Sequence, residues 1–167
     1  AMVRKPSDLG FADDGYILPP LNVHEHSIDF EMPTNGQLFA SEAQTLSDRR
    51  LARKLSAELR VKACADVVNA EPNEPWLIWC DLNAEGDALT KAIDGAIQVA
   101  GADDIDAKEK RLIDFAEGRA RVLVSKPSIA GHGLNFQHAA RMAFVGVTDS
   151  YEAYYQAVRR EWRFGQT

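Results

Sequence analysis

The end of the chain carries a glutamine and three arginines whose spacing suits the binding of an anion. Gln156, Arg160 and Arg163 stand at positions i, i+4 and i+7, so on a helix of about 3.6 residues per turn they share one face. Two neighbouring guanidinium groups repel each other unless an anion lies opposite them, and their N–H donors match the oxygens of a phosphate. An arginine presented to a phosphoryl group in transfer contributes ~10³–10⁵ in rate. The spacing therefore predicts that Arg160 and Arg163 act as arginine fingers on one short helix.

A glycine-containing segment, residues 125–136, comes after the apolar run 122–124 and reads as a loop after a strand. Its two glycines permit positive φ angles and a close approach of the backbone to a ligand. Its short polar side chains can bind a phosphate, a sugar or a neighbouring loop. The residues concerned are Ser128, Gly131, Gly133 and Asn135.

Taken together, the two segments resemble motifs V and VI of superfamily 2 helicases and translocases. The resemblance rests on Gly-x-Gly-Leu-Asn at 131–135 and on Gln-Ala-x-x-Arg-x-x-Arg-x-Gly-Gln-Thr at 156–167. It covers roughly residues 74–167 and is closest to the Swi/Snf-related branch and to helicase-like proteins of phages and prophages. Members of that family clamp ATP between two RecA-type domains, of which the second carries motifs IV, V and VI.

The resemblance implies that this chain is the second domain. The first domain of the family carries a Walker A lysine and an Asp-Glu box, and neither pattern occurs in this sequence. The expected fold is therefore α/β, a three-layer RecA-type domain with a parallel sheet, similar to P-loop NTPases but without its own Walker A loop. The expected motif regions are 76–83 for motif IV, 125–136 for motif V and 156–167 for motif VI.

The resemblance also implies roles for individual residues. Arg160 and Arg163 are expected to be catalytic, reaching the phosphates of ATP bound with Mg²⁺ mainly by an N-terminal RecA-type domain of the same full-length protein. The nucleotide-binding residues are expected to be Gln156, Gly131 and Gly133. The residues expected to contact or couple to DNA are Ser128, Asn135 and Arg159, although the family usually has glycine or aspartate where Arg159 stands. Because the arginine face is expected to be open in the isolated domain, substitutions there should leave folding intact.

Composition favours one soluble domain with one core. With 167 residues, of which 46% are hydrophobic and 26% charged, the chain is too short for two RecA-type domains. It has no apolar run near 18 residues and no signal-peptide pattern, which favours a cytoplasmic location without membrane insertion. A net charge of −6 argues against a general electrostatic attraction to nucleic acid. A basic helix is predicted to be a solvated face, with DNA binding as the alternative, and comprises Arg49, Arg50, Arg53, Lys54, Arg60 and Lys62.

The pattern of apolar residues predicts alternating helices and strands from residue 41 onward. Residues 1–40 are interpreted as a linker that packs on the domain 41–167, with an edge strand at 21–30. The stretch 41–70 predicts one or two helices, capped at Ser41 or Ser47, with a buried face formed by Leu51, Leu55, Leu59, Ala63 and Val67. Strands are expected at 76–80, 97–99, 122–124 and 142–147, and helices at 85–93, at 106–115 and from Tyr151.

Several residues have alternative interpretations. Trp76 and Trp79 should point to opposite faces of a strand and pack in the core. Tyr151, Tyr154 and Tyr155 should support the arginines by packing, with adenine stacking by one of them as the alternative. Cys64 and Cys80 are predicted to be free thiols. His24 and His26 lack a third ligand and are predicted to lie on an exposed face, so no metal site is expected.

The function that these features favour is the second lobe of an ATP-dependent DNA helicase or translocase. Half of such a site is expected to bind ATP weakly and to hydrolyse none, so whether the isolated chain counts as an enzyme stays open. The alternative is a catalytically inactive nucleic-acid-binding or protein-interaction module with the same fold.

Overall fold

The computed structural model describes residues 6–12, 18–30, 45–130, 136–146 and 150–163. Within these residues the strands are β1 Trp76–Trp79, β2 Ala96–Val99, β3 Val122–Ser125 and β4 Arg141–Phe144. The helices are α1 Leu46–Leu55, α2 Ala57–Ala70, α3 Asn83–Ala92, α4 Ile105–Ala116, α5 Pro127–Ala130 and α6 Tyr151–Val158, and a 3₁₀ turn spans Pro6–Leu9.

The four strands form one parallel sheet in the order β2-β3-β1-β4. Trp79 is level with Ser125 on one side and with Phe144 on the other. Pairing continues beyond the strands, since the N–H of Cys80 donates to the carbonyl of Ser125 at 3.0 Å and that of Val145 to the carbonyl of Trp79 at 2.9 Å. The loops after β1, β3 and β4 therefore all leave from the same end of the sheet, its carboxyl end.

Two apolar cores lie on opposite faces of the sheet, which makes the fold a three-layer α/β domain as predicted. One core packs α2 and α3 against Trp76 and Ile78, and the other packs α4, α6 and Phe136 against Leu77 and Trp79. Trp76 and Trp79 are both buried, and on opposite faces. The alternation of inward-facing side chains along β1 produces this division.

The stretch 45–70 forms two helices, but their buried face is only partly the predicted one: Val67 packs against the core and Ala63 is half-buried, whereas the leucines are not buried. Thr45 caps α1, accepting a hydrogen bond from the N–H of Asp48 at 3.1 Å, and Ser56 separates α1 from α2. The buried residues of α2 are Val61, Ala65 and Val68. The predicted leucines are instead 41–44% exposed, namely Leu51, Leu55 and Leu59. A strict four-residue spacing advances about 40° per step around a helix of 3.6 residues per turn, so such a stripe rotates away from the core.

The predicted edge strand at 21–30 is wrong. Residues 18–30 have no regular secondary structure and are mostly exposed. An alternation of apolar and polar residues forms a strand only where a neighbouring strand pairs with it by backbone hydrogen bonds. The segment does contact the domain, since the indole N–H of Trp162 donates to the carbonyl of Pro19 at 2.8 Å.

The remaining predicted elements are confirmed with small shifts of their ends. The last strand begins at Arg141 and ends at Phe144, and Gly118 ends α4 with a φ of +73°. Cys64 and Cys80 are free thiols. Burial raises the pKa of Cys64 to about 12 and, with the charge of Glu85, that of Cys80 to about 11, so both stay protonated near neutral pH. No helix among the described residues is long and apolar enough to cross a bilayer.

Candidate phosphate-binding site at the carboxyl end of the sheet

The segment after β3 lies against the end of the chain. Pro127–Ala130 forms the short helix α5, which packs against α6 and leaves Ser128 exposed. The N–H of Phe136 donates to the carbonyl of Arg160 at 3.3 Å, which joins the predicted motif V to the predicted motif VI. The other three predicted residues of this loop, Gly131, Gly133 and Asn135, lie outside the described residues.

The prediction of one helix carrying Gln156, Arg160 and Arg163 is wrong, because α6 ends at Val158. Ser150 caps its start by accepting from the N–H of Ala153 at 3.2 Å. At its end the N–H of Arg160 bonds to the carbonyl of Ala157, three residues back, which tightens the last turn. Gln156 is exposed in the helix, whereas both arginines come after it.

Residues 159–163, which we call the arginine segment, hold two buried charged side chains. Arg160 is 7% exposed and Glu161 is 3% exposed. Burial and the positive charge of the neighbouring Arg163 both lower the pKa of Arg160. Burial raises the pKa of Glu161 well above its usual range, and its Oε1 accepts no hydrogen bond within the described residues. The expectation that the arginine face is open in the isolated domain is therefore wrong for Arg160.

Backbone and aromatic contacts hold the other two arginines of the segment. The Nε of Arg163 donates to the carbonyl of Arg159 at 2.6 Å. The guanidinium of Arg159 lies 5.3 Å from the centre of the Trp162 ring, within range of a cation–π contact. Trp162 in turn binds Pro19. The loop after α6 is thus held by contacts on two sides.

The three tyrosines of α6 do not share one role. Tyr154 packs on Phe144 with the ring centres 4.9 Å apart. Tyr151 and Tyr155 stack on each other with the ring centres 6.2 Å apart and are 78% and 45% exposed. Support of the arginines by these rings stays a prediction. Adenine stacking stays a prediction.

A buried ion pair that the sequence did not indicate lies at the same end of the sheet. Arg60 of α2 and Glu85 of α3 meet with Nη1 and Oε1 2.6 Å apart, and Glu85 is fully buried. The Oε2 of Glu85 accepts from the N–H groups of Asp81 and Leu82, at 3.0 Å each. Arg60 also donates to the carbonyl of Val145 and, through Nη2, to that of Arg53. We call this set the Arg60 anchor.

One half of the anchor had a sequence signal. Glu85 stands three residues after Leu82, the spacing at which a carboxylate binds the backbone at the start of a helix. Nothing in the sequence pairs it with Arg60. The other arginines of the predicted basic helix differ in their surroundings. The Nη1 of Arg53 lies 3.5 Å from the Oδ2 of Asp81, whereas Arg49 and Arg50 are exposed.

The described residues contain no group of three or more His, Cys, Asp or Glu side chains that could hold a metal ion. His24 and His26 are exposed within the irregular segment 18–30. The arginines and backbone amides at the carboxyl end of the sheet are groups that suit phosphate oxygens.

Comparison with known protein families shows which domain family the chain belongs to. The helicase conserved C-terminal domain family matches residues 59–165, which is more than half of the chain. The chain belongs to this family. The match includes all four strands and α6, and its end covers the arginine segment.

Solved structures share the fold of this helicase C-terminal domain. The C-terminal part of the Fun30 ATPase domain superposes with a TM-score of 0.56 at 16% identity over 72% of this chain and 47% of the other. The RNA helicase Prp28 from Chaetomium thermophilum, bound to ADP, gives a TM-score of 0.55 at 16% identity over 64% of this chain and 28% of the other. The C-terminal domain of the DEAD-box protein Dbp5 gives 0.54 at 14% identity over 64% of each chain.

These likenesses confirm the predicted RecA-like helicase C-terminal fold. The chain spans less than half of the Fun30 fragment and less than a third of Prp28. Comparison with curated proteins finds no match to this helicase C-terminal domain.

Proposed function

We propose that this domain is the second lobe of an ATP-dependent DNA helicase or translocase, of the Swi/Snf-related type found also in phages and prophages. In this role Arg160 and Arg163 contact the phosphates of ATP that is bound, with Mg²⁺, mainly by an N-terminal RecA-type domain of the same protein. A cytoplasmic location fits this activity.

The observation that carries the proposal is the burial of Arg160 beside Arg163. A guanidinium taken out of water next to a second positive charge is held at a cost, which is visible in the lowered pKa of Arg160. An anion bound between the two arginines would relieve both burial and repulsion. Since the charge on a transferring phosphoryl group spreads over its oxygens, a site of this kind would stabilise the transition state more than the ground state.

The surroundings support the same function. The arginine segment is fixed by the bonds from Arg163 to Arg159 and from Phe136 to Arg160, so little reorganisation is needed when a phosphate arrives. Gln156 is exposed one turn earlier and is proposed to contact the nucleotide or orient the arginines. Gly131 and Gly133 complete the proposed nucleotide-binding set.

Nucleic acid is proposed to bind near the segment after β3. Ser128 is exposed on α5, which packs against α6, so this segment and the arginine segment are mechanically linked. Together, Ser128, Asn135 and Arg159 would couple the nucleotide state of the site to the position of the bound DNA strand. The net charge of −6 means that such contacts would be few and local.

The test is DNA-stimulated ATP hydrolysis by the polypeptide that contains both lobes, comparing the wild type with Arg163→Ala. We expect a loss of ~10³-fold in kcat with nucleotide binding retained. The matched control is Arg141→Ala, which removes an exposed arginine that pairs with Glu71 at 3.0 Å near the opposite end of β4. That variant should keep wild-type turnover.

Two outcomes would overturn the proposal. Measurable ATP turnover by the pure 167-residue chain would contradict a half-site that needs a second lobe. A two-lobed wild type without ATPase in the presence of any nucleic acid would favour the alternative, an inactive nucleic-acid-binding or protein-interaction module.

A further inference from the structure

The Arg60 anchor binds the chain at the point where it leaves β4. The carbonyl of Val145 accepts from Arg60, while the N–H of Val145 donates to the carbonyl of Trp79 at 2.9 Å. Both polar backbone groups of Val145 are therefore held, one by the neighbouring strand and one by a side chain that lies 85 residues earlier in the sequence.

The next residue fits against the anchor so closely that it has no room for a side chain. A Cβ added to Gly146 would lie 2.9 Å from the Cβ of Asp81 and 3.1 Å from the Oε2 of Glu85. Both atoms belong to groups that are already fixed, since Oε2 binds the N–H groups of Asp81 and Leu82. Position and direction of the chain at Gly146 are thus set by the anchor.

The chain beyond Gly146 leads through α6 to the arginine segment. Only residues 147–150 separate Gly146 from α6, and α6 leads directly into the arginine segment. Ala157, near the end of α6, is buried in the core that packs on Trp79, while α5 packs on the same helix. Tyr154 of α6 packs on Phe144, the last residue of β4, with the ring centres 4.9 Å apart. We call the end of β4 together with α6 the lever, because this contact would carry a shift at Val145 to the arginine segment after α6.

Arginines at the other end of the sheet give the comparison for a purely structural role. Arg121 donates to the carbonyls of Glu71 and Glu74, at 3.2 and 3.4 Å, and so closes the end of α2. Arg141 pairs with Glu71. Arg121 and Arg141 lie at the amino ends of β3 and β4, whereas the Arg60 anchor lies at the carboxyl end of the sheet.

We propose that Arg60 and Glu85 are positioning residues for the arginine segment: their ion pair fixes the exit of β4 and thereby the approach of Arg160 and Arg163 to the phosphates. The inference rests on the proposed function for its catalytic consequence. Its structural part, the coupling of the anchor to residues 150–163, stands independently.

The structural part is tested by hydrogen exchange on the 167-residue chain. The variant is Arg60→Met with Glu85→Gln, which removes both charges while the amide oxygen still accepts from the backbone. We expect amides of 150–163 to exchange roughly 10-fold faster or more, with α4 unchanged. Gly146→Ala should do the same with the ion pair intact, and Arg141→Ala should not. Unchanged exchange at 150–163 in both variants would overturn the inference.

The catalytic part is tested by a double-mutant cycle in the two-lobed protein. Arg60→Met with Glu85→Gln should lower kcat by roughly 10²-fold, because small displacements far from the chemistry have such effects, and leave KM for ATP within about twofold. In the Arg163→Ala background the same pair should change kcat by less than about twofold. An equal loss in both backgrounds would show a general structural role and refute the inference alone. Wild-type kcat for Arg163→Ala would instead refute the proposed function, and the hydrogen-exchange result would still decide the coupling.

Discussion

The Arg60 anchor and the arginine segment both bury charge at the carboxyl end of the sheet, but in opposite ways. In the anchor, Arg60 meets a carboxylate at 2.6 Å and two backbone carbonyls, and Glu85 also binds two backbone N–H groups. In the segment, Arg160 is buried with a like charge beside it, and Glu161 is buried with its pKa raised.

The difference lies in the sign of the neighbouring charge. In the anchor, opposite charges and hydrogen bonds add rigidity, while the like charge of Arg163 disfavours the charged form of Arg160, and we propose that a bound phosphate offsets this. The two arrangements lie at the two ends of one lever, since the anchor holds the exit of β4 and α6 ends in the segment. The repulsion between Arg160 and Arg163 therefore lies where a phosphate is proposed to bind.

The largest effect on stability should come from breaking the anchor on one side only. Arg60→Met leaves Glu85 buried without its partner, and we expect the free energy of unfolding to fall by about 3–5 kcal/mol. Urea denaturation of the 167-residue chain measures it. Adding Glu85→Gln should restore part of the loss. The control is Lys62→Met, which removes an exposed partner of Asp66 and should leave the free energy of unfolding unchanged. An equal loss of stability in this control would show that the buried ion pair has no special weight.

A smaller effect should distinguish the two arginines of the segment. Because Arg160 is buried, Arg160→Ala removes packing as well as charge, and we expect about 1–3 kcal/mol less stability. Arg163→Ala should leave the stability within about 0.5 kcal/mol. Denaturant midpoints of the two variants, measured together with their ATPase rates, test this. Equal stability losses would mean that Arg163 also supports the fold, which would contradict a role for this arginine in ligand binding alone.

The smallest effect should be the pH dependence contributed by Glu161. Its folded pKa is raised above the unfolded value of about 4.3, so at lower pH both states are protonated and no charge is buried. As pH rises through the window between the two values, the unfolded state ionises first and stability falls. Glu161→Gln removes this loss, and its Tm advantage over the wild type should therefore grow from about pH 4 to pH 8. A Tm difference that is constant with pH would show that Glu161 keeps a partner.

Local patterns in the sequence were enough to predict most of the fold. Short apolar runs such as 76–80 and 122–124 predicted the buried parallel strands, and the helix expected at 106–115 was found as α4. The family resemblance at 131–135 and 156–167 predicted the RecA-like helicase C-terminal fold that the comparison confirms. The leucine spacing along α1 and α2 predicted the wrong side of these helices as buried for Leu51, Leu55 and Leu59, because periodicity alone cannot tell which side of a helix meets a sheet.

The site was predicted less completely, for a physical reason. The identities of Gln156, Arg160 and Arg163 come from the pattern at the end of the chain, but the end of α6 at Val158 does not. That end depends on the bond from Phe136 to Arg160 and on the contact between Trp162 and Pro19, which join residues distant in sequence. The exposure of Tyr151 and Tyr155 likewise depends on how α6 lies on the sheet.

The sequence by itself determined which chemical groups the chain possesses and in what order: strands, a glycine-containing segment and terminal arginines without a Walker A loop. The tertiary structure alone decided that Arg60 meets Glu85, that Gly146 has no room for a side chain, and that Arg160 is buried. Hydrogen bonding and periodicity act over a few residues and are readable in sequence. Burial and ion pairing depend on which distant segments the packed sheet brings together, and no local pattern encodes that.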